Sequence, residues 1–173
     1  MGIKKIRDSI RDIPDYPKPG ILFKDITPIL KDPVLFKLCI DELTFLLKDL
    51  DFDYFAGIES RGFIFGAALS YKMGKGFIPI RKKGKLPYKT ISEEYKLEYG
   101  FETLEMHIDA MEKNSRVVIV DDLLATGGTI EAAAKLVNKV GGVVSTTIFV
   151  IELNFLKGRE RLNDIDVISL IKY

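Results

Sequence analysis

Residues 116–129 read Arg116-Val-Val-Ile-Val-Asp121-Asp122-Leu-Leu-Ala125-Thr126-Gly127-Gly128-Thr129, an apolar β-branched run followed by two acids and a glycine-containing turn. Such a run is typical of a strand that is buried on both faces of a parallel sheet. The next segment, 128–140, has the pattern of a helix and ends at Gly141-Gly142. The order of strand, turn and helix therefore indicates an α/β fold.

The same alternation extends along the chain. We interpret the apolar runs at 54–58, 76–80, 143–151 and 165–171 as further buried strands. Helical patterns lie at 32–47, after Arg61 and near 156–162. In the first of them Asp32 is a good N-cap, and Cys39 lies on the apolar face that would enter the core. We predict one α/β domain over residues 1–173, with a mainly parallel sheet flanked by helices.

Composition restricts the possible partners. The 173 residues are 47% apolar, enough for one substantial core, and the net charge of +1 gives no general attraction to nucleic acid or an anionic membrane. The single cysteine excludes an intramolecular disulfide and a thiolate zinc cluster, and it favours a reducing compartment. No apolar run is long enough to span a membrane, and the first residues lack the apolar segment of a signal peptide. We expect a cytoplasmic protein without nucleic-acid or membrane partners.

The turn after the 116–120 run has the chemistry of a phosphate site. Glycines let successive N–H groups converge, the helix N-terminus adds partial positive charge, and Thr126 and Thr129 supply hydroxyls. Asp121 and Asp122 can accept hydrogen bonds from the hydroxyls of a sugar that carries the phosphate. The segment thus predicts a site for a ribose 5-phosphate, although each residue taken singly could serve only as a cap or a packing residue.

The whole string resembles the signature with which type I phosphoribosyltransferases bind phosphoribosyl pyrophosphate (PRPP). The resemblance implies the fold of that family, with an N-terminal hood over the base at 1–31 and a flexible catalytic lid at 81–107. It also implies two groups of PRPP ligands. The ribose would be held by Asp121 and Asp122, and the 5-phosphate by Ala125, Thr126, Gly127, Gly128 and Thr129.

A second loop, Glu59-Ser60-Arg61-Gly62-Phe63, follows the 54–58 run. Its guanidinium and exposed N–H groups suit a diphosphate. The loop resembles the pyrophosphate loop of adenine phosphoribosyltransferases, in which the bond corresponding to Glu59-Ser60 can be cis. The resemblance implies that Glu59, Ser60 and Arg61 bind pyrophosphate. The alternative is that Ser60 caps a helix and Arg61 is solvated.

The charged segment 81–107 resembles the flexible catalytic loop of the same family through Arg81-Lys-Lys-Gly-Lys-Leu-Pro and Tyr95-Lys-Leu-Glu-Tyr-Gly. The resemblance implies that Arg81, Lys82 and Lys85 balance the departing pyrophosphate, and that Glu98 is the general acid/base beside the purine. The alternative is an exposed hairpin with solvated charges, on which Glu98 is a surface residue. His107 is interpreted as structural.

The proline-rich segment 17–28 resembles the family's hood over the base, although simple edge packing is the alternative. On this resemblance Phe23 stacks on adenine, while Leu22 and Lys24 contribute main-chain contacts. Many members have arginine in place of Lys24. Leu156, in a segment that reads Leu-Lys-Gly-Arg-Glu, would help to enclose the base.

Taken together, the resemblance implies transfer of phosphoribosyl from PRPP to adenine, giving AMP and pyrophosphate. It further implies a homodimer and Mg²⁺ that arrives on PRPP and lies near Asp121 and Asp122, since this ion binds substrate phosphates readily. Three alternatives remain open at this point: an enzyme for hypoxanthine, guanine or xanthine, a PRPP-binding regulator without turnover, and a structural α/β domain.

Overall fold

The apolar runs form strands, and most of the amphipathic segments between them form helices. The computed structural model describes residues 2–96, 100–162 and 164–173. In chain order the elements are α1 (Gly2–Ser9), β1 (Arg11–Pro14), β2 (Leu22–Asp25), α2 (Thr27–Lys31), α3 (Pro33–Leu47), β3 (Tyr54–Ile58), α4 (Arg61–Met73), β4 (Gly76–Lys82), β5 (Thr90–Lys96), β6 (Phe101–His107), β7 (Arg116–Leu124), α5 (Gly128–Val140), β8 (Val143–Glu152), two 3₁₀ turns (Asn154–Leu156 and Gly158–Arg161) and β9 (Val167–Lys172).

The central sheet is mainly parallel, as predicted. Within the described residues its seven strands lie in the order β5-β6-β4-β3-β7-β8-β9. Strands β4, β3, β7, β8 and β9 are neighbours in that order, and each pairs with the next in parallel. Strand β6 pairs antiparallel with both β4 and β5. Because β3 pairs with β7, the loops that follow their carboxyl ends are neighbours at one edge of the sheet.

Apolar side chains cover both faces of this sheet. Val118 and Val120 pack with α3 and α4 on one face, and Val117 and Ile119 pack with α5 on the other. Cys39 is fully buried in the first core, which confirms its predicted position, and burial raises the pKa of its thiol to about 12. In the described part of the chain, no helix combines the length and the apolar character needed to cross a bilayer.

Local sequence accounts for the ends of the two clearest helices. The side chain of Asp32 accepts hydrogen bonds from the N–H groups of Val34 (2.8 Å) and Leu35 (3.1 Å), so it caps α3 as predicted. The end of α5 was also predicted, since Gly141 has a φ of +97° and terminates the helix in the left-handed region.

The helix predicted near 156–162 is wrong. The segment instead forms two 3₁₀ turns, which are separated by Lys157 with a φ of +53°. A left-handed residue stops helical propagation, and the turn after it packs against the loop that follows β7.

The N-terminal segment and the charged segment 81–107 also contain regular secondary structure. The N-terminal one contains the antiparallel ribbon β1–β2, with Arg11 opposite Asp25, and α2 begins at Thr27 with Pro28 in its first turn. The charged segment 81–107 contains the β5–β6 hairpin, and Leu104 and Met106 of β6 are buried in the core. The C-terminal strand of this segment is therefore part of the sheet.

Two leucines of α3 allow a test of this packing. Leu43 is 1% exposed and Leu46 is 39% exposed. We expect Leu43→Ala to lower the free energy of unfolding by about 2–5 kcal/mol, because it leaves a cavity in the core. Leu46→Ala, the same substitution in the same helix, should cost less than about 1 kcal/mol. Urea denaturation followed by circular dichroism gives both values, and equal losses would contradict the described packing.

Candidate active site

Two loops meet at the carboxyl edge of the sheet, and a glycine makes their contact possible. A Cβ atom on Gly62, in the first turn of α4, would lie 2.7 Å from the carbonyl oxygen of Val120 and 3.0 Å from Oδ1 of Asp121. A side chain at this position would therefore force the two loops apart. The structure thus brings together the Glu59-Ser60-Arg61 loop and the two acids of β7. The Glu59-Ser60 peptide bond is cis.

Of the two acids, Asp122 is held away from water, whereas Asp121 is partly exposed. Asp122 is 2% exposed, and its Oδ2 lies 3.0 Å from Nε of Arg61. The N–H of Arg61 does not point at this oxygen, which accepts no hydrogen bond from the described residues. Oδ1 of Asp121 accepts a hydrogen bond of 2.9 Å from the N–H of Asp122.

Burial dominates the electrostatics of the pair. Burial and the adjacent charge of Asp122 raise the pKa of Asp121 well above its usual range. Burial also raises the pKa of Asp122, although the charge of Arg61 opposes this effect. Asp122 is thus a buried hydrogen-bond acceptor with the guanidinium of Arg61 beside it.

The turn after β7 encloses a small cavity at the N-terminus of α5. The cavity has a volume of about 70 Å³, and Asp121, Thr126, Gly127 and Thr129 are among its lining residues. Gly127 has a φ of +83°, which turns the chain into the helix. The cavity thus lies at the start of α5 with two threonines in its lining, and the partial positive charge of a helix N-terminus favours a small anion there.

Two of the three predicted lid cations converge on Glu59, whose side chain is 6% exposed. Nε of Arg81 donates to one carboxylate oxygen at 2.7 Å, and Nζ of Lys85 donates to the other at 2.6 Å. Burial disfavours the ionised form of Glu59, but the hydrogen bonds from Lys85 and Arg81 outweigh it and lower the pKa.

Lys82 extends elsewhere. Successive residues of a strand point to opposite faces, and Nζ of Lys82 donates to Oε2 of Glu102 on β6 at 2.6 Å. The sequence reasoning did not single out Glu102. An acid that faces a cation on a neighbouring strand can be recognised only when the register of the two strands is known.

The predicted hood residues lie next to the loop Glu59-Ser60-Arg61. The guanidinium of Arg61 lies 5.3 Å from the centre of the Phe23 ring, and Tyr16 makes an edge contact with the same ring at 5.2 Å. Leu22 is 47% exposed. The side chain of Lys24 is 8% exposed and donates to Asp12 at 2.6 Å, so only its backbone is available for a ligand.

Leu156 lies on the first 3₁₀ turn and is 38% exposed. This turn is connected to the hood through the last residue of the chain. The N–H of Asn154 donates to the carbonyl oxygen of Tyr173 at 2.8 Å, and Nζ of Lys24 lies 3.9 Å from the centre of the Tyr173 ring. The turn that carries Leu156 and the strand that carries Phe23 are thus joined through one aromatic residue.

Glu98 lies outside the described residues. The neighbouring part of the hairpin rests on the start of α5, since a Cβ atom on Gly128 would lie 3.6 Å from the ring of Tyr95. Burial raises the pKa of Tyr95, which is half-buried there. His107 has a buried Nε2 atom that forms no hydrogen bond with the described residues, and its ring meets Tyr88 at 6.0 Å.

The site offers few protein ligands to a divalent cation. Within residues 2–96, 100–162 and 164–173, no group of three or more His, Cys, Asp or Glu side chains could hold a metal ion. Asp121 and Asp122 supply carboxylate oxygens on adjacent residues. Such a pair suits Mg²⁺ only when the ion brings other oxygen ligands, such as phosphates and water.

Comparison with known proteins identifies the family. Residues 27–171 match the family model described as a phosphoribosyl transferase domain. The adenine phosphoribosyltransferase of Thermoanaerobacter sp. (strain X514) is 57% identical over 173 residues, which are 100% of both chains. The chain belongs to the adenine phosphoribosyltransferases. The family and the fold class predicted from the motifs are thereby confirmed.

Solved structures of other adenine phosphoribosyltransferases agree with this assignment. The crystal structure of the protein from Thermoanaerobacter pseudethanolicus is 56% identical and has a TM-score of 0.97, with 99% of each chain covered. The structure from Saccharomyces cerevisiae, complexed with D-2,5-dideoxy-2,5-imino-altritol 1,6-bisphosphate and adenine, is 39% identical and has a TM-score of 0.92, with 98% of each chain covered.

The ion pairs of Glu59 predict how stability depends on pH in this family member. Because its pKa is lowered on folding, Glu59 contributes stability above the ordinary titration range of a glutamate, and this contribution is lost as the pH falls through the lowered value. Glu59→Gln should therefore destabilise the protein at pH 7 and make progressively less difference below about pH 4. Thermal unfolding of both proteins between pH 7 and pH 3 measures the difference, and a gap that stays constant would refute the assignment.

Proposed function

We propose that the chain transfers the phosphoribosyl group of PRPP to adenine, forming AMP and pyrophosphate. The observation that carries this proposal is the joint placement of an anion-sized cavity at a helix N-terminus and two adjacent carboxylates, of which Asp122 is buried, on the strand that leads into it. The full-length similarity to adenine phosphoribosyltransferases supports the same activity.

In this proposal the 5-phosphate occupies the turn formed by Ala125, Thr126, Gly127, Gly128 and Thr129. The ribose hydroxyls then donate to Asp121 and Asp122. The buried Oδ2 of Asp122 supports this role, because it has an ion-pair partner but accepts no hydrogen bond from the described residues. A sugar hydroxyl would supply the missing donor.

The pyrophosphate group faces the loop of Ser60 and Arg61 in this proposal, with the lid cations around it. Glu59 accepts hydrogen bonds and cannot donate them when ionised, so we assign it an indirect role. It holds Arg81 and Lys85 on one side of the site. Lys82 would join them only by exchanging Glu102 for a phosphate oxygen.

For the base, Phe23 supplies the stacking surface, and the backbone groups of Leu22 and Lys24 read the edge of adenine. The engagement of the Lys24 side chain with Asp12 supports a main-chain role for this residue. Leu156 closes the pocket from the 3₁₀ turn. A purine between these groups lies at the same edge of the sheet as the sugar site.

The reaction breaks the bond between C1 of the ribose and the pyrophosphate oxygen, and a ring nitrogen of adenine forms the new bond to C1. The ribose develops positive charge, and the adenine nitrogen loses a proton, which Glu98 accepts. General base catalysis of this kind contributes about 10²- to 10⁴-fold. Within the segment 81–107, the part that precedes the buried residues Leu104 and Met106 acts as a lid that excludes water from the activated sugar and limits hydrolysis.

Three further features belong to the same proposal. Mg²⁺, bound with PRPP near Asp121 and Asp122, supplies charge neutralisation on the phosphate oxygens. The active form is a cytoplasmic homodimer. Exposed apolar side chains on α3 and α4 support a subunit interface, with Val34 73% exposed, Phe45 60% exposed and Tyr71 93% exposed.

The alternatives left open by the sequence are less well supported. The matched relatives are adenine phosphoribosyltransferases over the full length of the chain, which favours neither an oxo-purine substrate nor a regulator without turnover. Incubation with PRPP, Mg²⁺ and each of adenine, hypoxanthine, guanine and xanthine tests all of them. Chromatography should show AMP from adenine and little product from the other bases. Preferred conversion of an oxo-purine, or no conversion, would overturn the proposal.

A substitution in the lid tests the general base. We expect Glu98→Gln to lower kcat by about 10²- to 10⁴-fold while the KM for PRPP changes little, because the amide cannot take up the proton. The matched control is Glu94→Gln, an exposed position of the same hairpin. Steady-state assays measure both variants. Wild-type turnover of Glu98→Gln would remove this residue from catalysis.

A double substitution tests the sugar site. Replacing both Asp121 and Asp122 with Ala removes the proposed hydroxyl acceptors and should weaken PRPP binding by about 10- to 100-fold. Asp49→Ala combined with Asp51→Ala makes the same change in net charge at side chains that are 88% and 77% exposed. Isothermal calorimetry compares the two proteins, and equal affinities would exclude the ribose assignment.

A further inference from the structure

The buried end of β8 holds a carboxylate that none of the proposed substrate contacts uses. Glu152, the last residue of this strand, has a side chain that is 5% exposed. Its Oε1 accepts a hydrogen bond from Nε of Arg159 at 3.0 Å, and its Oε2 accepts one from Nη2 at 2.7 Å. The guanidinium and the carboxylate thus make a bidentate contact, called the fork below, which fixes the orientation of the two groups as well as their distance.

Neighbouring groups complete the geometry of the pair. The hydroxyl of Ser169 on β9 donates to Oε2 of Glu152 at 2.5 Å, and Nη1 of Arg159 donates to the carbonyl oxygen of Val167 at 2.7 Å. Burial raises the pKa of Glu152, but the hydrogen bonds from Arg159 and Ser169 lower it overall. Arg159 is thereby tied to the last residue of β8 and to the first residue of β9.

Gly158, the residue before Arg159, directly contacts the turn of residues 125–129 that follows β7. A Cβ atom on Gly158 would overlap the carbonyl oxygen of Ala125 and lie 3.1 Å from the backbone N of Gly127. In the opposite direction, a Cβ atom on Gly127 would lie 2.5 Å from the carbonyl oxygen of Gly158. The two backbones are in contact without an intervening side chain, so a shift of Gly158 is transmitted to the turn of residues 125–129.

The two 3₁₀ turns therefore connect both halves of the substrate site, with Leu156 in the first turn and Gly158 in the second. We propose that Glu152 and Arg159 are positioning residues for the substrate site: their fork fixes the two turns, so that Gly158 supports the phosphate turn while Leu156 is held against the purine. The substrate assignment in this inference rests on the proposed function. The fork acts through the backbone and contacts no substrate.

Arg159→Lys tests the fork because it retains the charge and loses the two-point geometry. In the substrate-free protein, amide hydrogen exchange of residues 125–129 should become about 5-fold faster or more, since the turn loses its support. The dissociation constant for AMP, which spans both halves of the site, should rise by about 10- to 100-fold, as expected for a small misplacement of binding groups. KM for PRPP and for adenine should rise with it, while kcat stays within about 3-fold.

Companion variants separate positioning from general stability. Glu160→Gln alters the same turn at a side chain that is 70% exposed, and it should leave exchange and affinity at wild-type values. Glu152→Gln should reproduce the effects of Arg159→Lys, and the double variant should be no worse than the more affected single one. If Arg159→Lys does not fold, Ser169→Ala removes only one hydrogen bond to Glu152 and should give the same changes at about 3-fold.

Each outcome has a defined meaning. Wild-type exchange and wild-type affinity in a folded Arg159→Lys protein, or in Ser169→Ala if it replaces that variant, would overturn the inference, whatever the change in melting temperature. Faster exchange at 125–129 in a protein whose wild type binds neither AMP nor PRPP would support the mechanical role of the fork and refute the proposed function.

Discussion

The position of two adjacent carboxylates near the end of β7, of which Asp122 is buried, is the constraint around which the site is arranged. An ionised carboxylate in a poorly hydrated position is costly unless charge or hydrogen bonds offset the cost. Here one guanidinium, from Arg61, lies beside Asp122, and its N–H is not aligned with the carboxylate. The loop that carries Arg61 reaches this position only because Gly62 has no side chain. The two loops and the two acids therefore depend on one another.

Cations are gathered at the candidate site, although the chain as a whole carries almost no net charge. The net charge is +1, so the surface as a whole does not attract a polyanion. Arg81 and Lys85 gather on Glu59, Arg61 lies beside Asp122, and a helix N-terminus faces the small cavity. Each of these three cations is paired with an acid, so they are held in defined positions and add little to the net charge of the site.

Local sequence predicted the parts of the structure that depend on neighbours in the chain. The cap at Asp32, the glycine that ends α5 and the strand at residues 54–58 follow from short-range patterns. The motifs also indicated which loops lie at the carboxyl edge. Long-range packing decided the rest. The left-handed Lys157 and the contact of Gly158 with Ala125 replace a predicted helix with two 3₁₀ turns. The pairing of Lys82 with Glu102 depends on strand register, and the Lys24 side chain is directed by Asp12 and Tyr173.

The burial of Cys39 has a practical consequence for spectroscopy. It is the only cysteine in the chain, it is fully enclosed in the core, and its thiol has a pKa of about 12. Because the thiolate is the form that reacts with maleimides and other alkylating dyes, this sulfur does not react with them at neutral pH. A cysteine introduced at an exposed position of the hairpin segment, such as Lys89, would be the sole reactive thiol, and a fluorophore could be attached there with the native cysteine left in place.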